Sequence, residues 1–429
     1  MFTFLRNNKI SLMLNTLKML IGNVFFAISQ FFIIFIMSKF GNSVDVGQYA
    51  FGLAITTPVY LLSFLQLRSL YISNTTRDYT FGHFLGLRIL TTIIAFVITT
   101  VLALVGNYGE TLTMVIILIS ISKFIDAISD IVFGLYQKKE RLEYITYSRV
   151  LKGLITVISF SVLYISTHDL VIALVGMVIG WFVILYFYDL RKAKTFEFIK
   201  PVVERVKVYS LLKTSFPLGI IMLLMSLNSN IPQYVIENKL GEQQLGIFAS
   251  LSYVIIASTV IINAMGEAAF YRMTVCYSEQ EYMNFAKLIQ RLILTGIGIS
   301  SLGVIIAIFA GKPLLSIIFS QEIAAENTVF IWLTVATLLT FTTSFLGYGM
   351  NAARLFYIQI PLFALVNITS LIASIAWIPH HGLAGAAWAI LAALTVQAIG
   401  GFGVVAYAIL KLKKSAAESN PKTVVEGAI

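Results

Sequence analysis

Apolar runs, each about as long as a bilayer is thick, recur along this 429-residue chain from the amino-terminal region to position 410 and are separated by short polar turns. A run of roughly 18 or more apolar residues with few charges reads as a bilayer-spanning helix. Taken in order, the runs predict twelve helices, near 15–38, 47–67, 83–106, 111–136, 147–167, 170–190, 211–236, 245–268, 287–310, 326–349, 357–378 and 383–410. The expected fold class is therefore an all-α integral membrane protein. Composition agrees, because 58% hydrophobic and 12% charged residues lie far outside the range of a soluble domain. The amino-terminal region carries Arg6, Lys9 and Lys18 and then an apolar stretch with no small-residue cleavage site, so the first run is expected to be a span and not a removed signal peptide.

Short loops rich in Lys and Arg stay on the cytoplasmic side of a membrane. With the amino terminus inside, all but four of the 30 Lys and Arg residues fall in cytoplasmic segments or helix ends. Lys39, Lys239 and Lys312 lie opposite, and Lys123 lies within a span. Both termini and the basic link at 191–207 are thus expected in the cytoplasm. The net charge of +10 reads as this asymmetry, together with attraction to anionic lipid, and not as nucleic-acid binding.

The chain also repeats itself. KFGNSVDVGQYA at 39–50 matches KLGEQQLGIFA at 239–249 with one residue deleted, six spans later. GLYQKKERLEYI at 134–145 matches GYGMNAARLFYI at 347–358, and the same offset of 213 aligns His168-Asp169-Leu170 with His381-Gly382-Leu383. An even number of spans between equivalents predicts a parallel repeat: two six-helix bundles, 1–200 and 201–410, related by pseudo-two-fold symmetry around a central cleft. Residues 411–429 are expected to form a basic, disordered cytoplasmic tail. Gly41, Gly47, Gly241 and Gly246 are expected to serve tight turning and close helix contact.

The Gly-x5-Gly-x-Tyr turn of Gly41, Gly47 and Tyr49, its partner KLGEQQLGIF, the amphipathic SEQEYMNFAKLIQR, and ARLFYI with HHGLAGAAWA together carry a resemblance. Over nearly its whole length the chain resembles the polysaccharide-transport (O-antigen flippase) branch of the multidrug/oligosaccharidyl-lipid/polysaccharide exporter superfamily. The resemblance implies an inner-membrane flippase that moves an undecaprenyl-pyrophosphate-linked oligosaccharide, an O-antigen or capsule repeat unit, to the outer leaflet by alternating access. It also implies a polysaccharide polymerase and a chain-length regulator as partners, and no cofactor.

Site residues have to be argued from charge. Lys123, Asp126 and Asp130 share one face of the fourth predicted helix, and Gln137 extends it. Each charge costs roughly 2.5–3.5 kcal/mol at mid-bilayer, so this face is expected to line the cleft or a partner helix. Two readings stand. In one, Lys123 pairs with Asp126 in a structural seam; in the other, Asp130, left without a local cation, carries a proton or metal cation during transport. Glu267, with Asn263 and Arg272, offers a second polar group in the eighth helix.

A pyrophosphate needs cations, and Arg68, Arg88, Arg149, Lys152, Arg272, Arg291 and Arg354 all fall at predicted inner helix ends. Arg88 and Arg291 rank highest because they open equivalent helices, in RILTT and RLILT. Pro217, Asn228, Asn230 and Pro232 suggest an interrupted seventh helix that gates the cleft. The histidines at 83, 168, 380 and 381 and the single Cys276 have no partner at ligand spacing, so no metal site is expected. Two other functions compete. A multidrug/cation antiporter of the same superfamily would need a compact apolar pocket with a buried carboxylate. A membrane-embedded polymerase or acyltransferase would need a large outer loop or a catalytic intramembrane histidine. Neither pattern is evident, and no Gly-x4-Gly-Lys-Ser/Thr loop is present.

Overall fold

The computed structural model describes residues 2–74 and 79–418. Helices account for nearly all of them. In chain order they are α1 (Phe2–Phe40), α2 (Ser43–Phe64), α3 (Leu67–Ser73), α4 (Phe81–Val105), α5 (Glu110–Lys138), α6 (Leu142–Ile155), α7 (Ser161–Thr167), α8 (Leu170–Ile184), α9 (Arg191–Ala193), α10 (Arg205–Ser278), α11 (Tyr282–Ile318), α12 (Gln321–Ala325), α13 (Asn327–Ala352) and α14 (Phe356–Glu418). Of the expected tail, residues 419–429 lie outside the described residues. Two π-helical stretches, Thr156–Phe160 and Leu185–Leu190, continue α6 into α7 and α8 into α9. Among the described residues, nine helical stretches are long and apolar enough to cross a membrane.

The chain forms two compact units, one of Met1–Glu237 with Gly241–Gly246 and one of Asn238–Leu240 with Ile247–Ile429. In the first, α5 is the central helix and packs on α2, α3, α4, α6 and α8. Its buried Ile131, Val132, Phe133 and Tyr136 meet Tyr71 of α3, Phe81 and Phe84 of α4, and Leu211 of α10. In the second, α11, α13 and α14 pack together, with Phe285, Ile289, Phe341, Phe345 and Val366 among the buried contacts.

All three repeated sequence pairs mark helix junctions. Lys39 and Phe40 end α1, and Gly41 begins the short turn into α2, whereas Gly241 breaks α10 with φ 86° and ψ 176°. His168 ends α7 in left-handed backbone, and Gly382 breaks α14 with φ 56°. Glu140 and Arg354, both of positive φ, end the helices of the remaining pair. A polar turn between apolar spans leaves helix carbonyls without partners, and left-handed residues close such ends.

The two copies of the opening motif also touch. A Cβ on Gly47 would overlap the Glu242 carbonyl, one on Gly246 would overlap the Ser43 carbonyl, and Gln48 Nε2 donates to Glu242 Oε2 at 2.8 Å. Only glycine lets two backbones approach this closely. Gly246→Val is therefore expected to destabilise the protein by about 2 kcal/mol or more, because rigid backbone would have to move. Thermal unfolding in detergent checks this, and an unchanged midpoint would show the contact to be dispensable.

The interruption expected within the seventh helix is not seen, and the break in α10 is the expected junction with the eighth. Backbone remains helical through Pro217 and Pro232, and the break falls at Gly241. A proline removes one helical hydrogen bond, but a helix held by its neighbours survives the loss. The polar side chains serve the helix itself, with Asn230 Nδ2 donating to the Ser226 carbonyl at 2.7 Å.

Candidate functional site

The charges on one face of α5 divide between two clusters, Asp130 toward α3 and α4 and Asp126 toward α6. Toward α3 and α4, the Asp130 carboxylate bridges two arginines. Arg88 Nη2 donates to Oδ2 at 2.9 Å and Arg68 Nη1 to Oδ1 at 3.3 Å, while Arg68 Nη2 donates to Gln137 Oε1 at 3.0 Å. Asp130 and Gln137 are seven residues apart and so share a helical face. Arg68 reaches them because Leu65 and Gln66, both in left-handed backbone, turn the chain from α2 into α3. Arg88 lies on α4, fully buried, with its guanidinium 4.6 Å from the centre of the Phe64 ring.

These groups line a cavity of about 390 Å³ in the first unit. Asn23, Gln66 and Ser69 add polar atoms to the wall, and Leu61, Phe64, Ile72 and Met222 add apolar surface. Among the described residues, Arg88 Nε and Nη1 have no hydrogen-bond partner. A buried guanidinium with two unused donors is costly unless something accepts them. With two arginines and one carboxylate, the wall carries a net positive charge suited to an anion.

The second cluster lies between α5, α6 and α8. Asp126 accepts from Arg149 Nη1 and Lys152 Nζ, each at 3.3 Å. Lys152 Nζ also donates to Ser129 Oγ at 2.7 Å and lies 3.9 Å from Asp189, and Ser129 Oγ donates to Asp189 Oδ2 at 2.7 Å. The Tyr136 hydroxyl donates to the Asp189 carbonyl at 2.6 Å. Lys152 and Asp189 are both fully buried, and the Arg149 guanidinium lies over the rings of Phe26 and Phe133. Two cations meet two carboxylates here, so the cluster balances its charge, although Arg149 Nε and Asp189 Oδ1 have no hydrogen-bond partner among the described residues.

This arrangement corrects the expected pairing on α5. Asp126 is held by Arg149 and Lys152, and Lys123 forms no salt bridge among the described residues. Asp130 is the partner of two arginines, not a lone carboxylate. Side chains three residues apart on a helix are neighbours, but better-placed cations from α3, α4 and α6 reach the carboxylates first. Arg88 and Arg291 also differ: the former is fully buried, whereas Arg291, on α11, is exposed. Arg272, Arg354 and Glu267 are exposed as well, and none of these four forms a salt bridge among the described residues. Pro217, Asn228 and Asn230 are half-buried and Pro232 is buried, all within α10.

Asp189 was missed by the sequence reading. It sits in YFYDL near the end of a span, and an ionisable residue in that position marks either a partner or a site. Lys152, expected at the entrance, is instead its structural counterpart, and Arg149 pairs with Asp126.

The sequence profile of the family described as polysaccharide biosynthesis protein matches residues 4–274, more than half of the chain. The chain belongs to that family. A curated relative, the capsular polysaccharide biosynthesis protein CapF of Staphylococcus aureus, is 27% identical over 379 residues, covering 86% of this chain and 93% of that protein. Solved structures share the fold. An inward-facing multidrug resistance MATE family transporter of the MOP superfamily aligns with a TM-score of 0.74 at 15% identity, over 91% of this chain and 96% of the other. A MOP superfamily transporter from Pyrococcus furiosus, described as having a binding pocket of reverse polarity, aligns with a TM-score of 0.64 at 15% identity, over 96% of each chain. This polysaccharide biosynthesis family member is accordingly a multi-pass membrane protein with the fold of these MOP superfamily structures.

Proposed function

We propose that this chain flips an undecaprenyl-pyrophosphate-linked oligosaccharide from the cytoplasmic to the outer leaflet of the inner membrane. The observation that carries the reading is Arg88, fully buried on a cavity wall beside Arg68 with two guanidinium donors unused among the described residues. Guanidinium groups take phosphate oxygens two at a time, and a pyrophosphate supplies enough of them for both side chains. The apolar part of the wall suits the isoprenyl carbons next to the phosphates. A cation antiporter would need a carboxylate open to a cationic ligand, and the Asp130 carboxylate is occupied by two arginines.

The wider organisation belongs to the same proposal. Both termini face the cytoplasm, as the distribution of Lys and Arg suggests. Arg272, Arg291 and Arg354, all exposed, would attract the anionic head group from solution. A polymerase and a chain-length regulator would receive the product outside.

Reconstitution tests the function. Vesicles containing the purified protein and a fluorescent lipid-linked oligosaccharide should show the label becoming accessible to an outside quencher, and protein-free vesicles should not. Equal rates in the two would remove the flippase reading. Topology is checked separately: single cysteines introduced into 191–207 of a Cys276→Ser background should be protected from impermeant maleimide in intact cells, and labelling from outside would reverse the assigned orientation.

A further inference from the structure

Asp130 faces the cavity that the preceding section assigns to phosphate, yet it carries the same charge as that ligand. Its two oxygens are divided between the two arginines, Oδ2 on Arg88 at 2.9 Å and Oδ1 on Arg68 at 3.3 Å. A phosphate group would engage the same pair in the same way, one oxygen to each guanidinium. The carboxylate is 15% exposed, so it is present at the wall and not sealed behind it. Each arginine has a second partner besides Asp130: Gln137 accepts from Arg68 Nη2, and the Phe64 ring lies against the Arg88 guanidinium.

We propose that Asp130 is a displaceable counter-ion: it occupies the arginine donors that the substrate phosphate takes over, and it limits how tightly that phosphate is held. The inference rests on the phosphate reading of the cavity. The buried Arg88 and the partly exposed Arg68, with no carboxylate between them, would hold a pyrophosphate strongly enough to retain it, and a transporter that does not release its cargo does not turn over. A tethered carboxylate competes at fixed high local concentration, returns to the arginines as the phosphate leaves, and keeps the site from standing open with two unpaired cations. Asp130 thereby positions the arginines and sets their affinity. It need not gain or lose a proton to do so.

The test measures binding of inorganic pyrophosphate and of undecaprenyl pyrophosphate to the purified full-length protein in detergent. Asp130→Asn, which keeps the shape and removes the charge, is expected to bind both about tenfold more tightly than wild type and to release them more slowly. A merely structural Asp130 would give weaker binding on substitution. Because that variant leaves two unpaired cations and could fold poorly, a second comparison uses Arg68→Gln with and without Asp130→Asn. There the double variant must bind the more tightly, since it frees Arg88.

Unchanged or weaker binding in folded Asp130→Asn, with wild-type binding that depends on Arg88, overturns the counter-ion role alone. Wild-type protein that binds neither pyrophosphate, or that binds equally well after Arg88→Gln, overturns the phosphate reading and this inference with it. A gain for inorganic pyrophosphate without one for the lipid form would place the lipid's phosphates elsewhere and likewise overturn it.

Discussion

Arg88→Gln is expected to lower the flipping rate about 10- to 100-fold at matched protein abundance, corresponding to the roughly 1.5–3 kcal/mol carried by a hydrogen bond to a charged group. Gln keeps one donor and much of the length but loses the planar fork and the charge. Arg88 is fully buried beside the cavity. Arg68→Gln should lose less, because that guanidinium is 24% exposed and shares its donors with Gln137. Arg291→Gln is expected to remain near wild type, because Arg291 is exposed and forms no salt bridge among the described residues. Rates from the vesicle assay check the order. If Arg88→Gln and Arg291→Gln fall equally, the buried cavity is not where the head group is held.

Lys152→Met should be the most damaging single substitution for stability. It leaves Asp189, fully buried, without the cation that lies 3.9 Å away, and removes one of two cations from Asp126. Leaving a buried charge uncompensated costs about 3–5 kcal/mol, a large part of the stability of an ordinary domain. The double variant Lys152→Met/Asp189→Leu is expected to recover much of that loss. Asp126 retains Arg149 at 3.3 Å, and replacing both members of a buried pair by apolar groups can be nearly neutral. Thermal midpoints in detergent and membrane abundance give the comparison. A Lys152→Met protein as stable as wild type would show that the cluster does not hold α5, α6 and α8 together, and a double variant worse than the single one would refute the pairing.

By itself the amino-acid sequence determined the environment, the helical character and the junctions that the repeats mark. Apolar runs of bilayer length leave the backbone no cheaper state than a helix, and the repeated turns at Gly41 and Gly241, and at His168 and Gly382, were legible because a break between spans needs residues that tolerate left-handed or extended backbone. It also identified the charged face of α5 as exceptional, since charge within a span is expensive wherever the helix lies. What it could not decide was the partner of each charge. Lys123 is three residues from Asp126 along one helix, yet Asp126 is held by Arg149 and Lys152 from α6, while Asp130 is taken by Arg68 and Arg88. Equivalent sequence positions did not guarantee equivalent surroundings either, as Arg88 and Arg291 show. Ion pairing falls off within a few ångströms, and those ångströms are set by how neighbouring helices are turned about their own axes and by a reversal as local as Leu65–Gln66. Periodicity reads along one helix at a time, whereas the site is assembled across several, so only the tertiary structure could assign Asp130 to the arginines and Asp189 to Lys152.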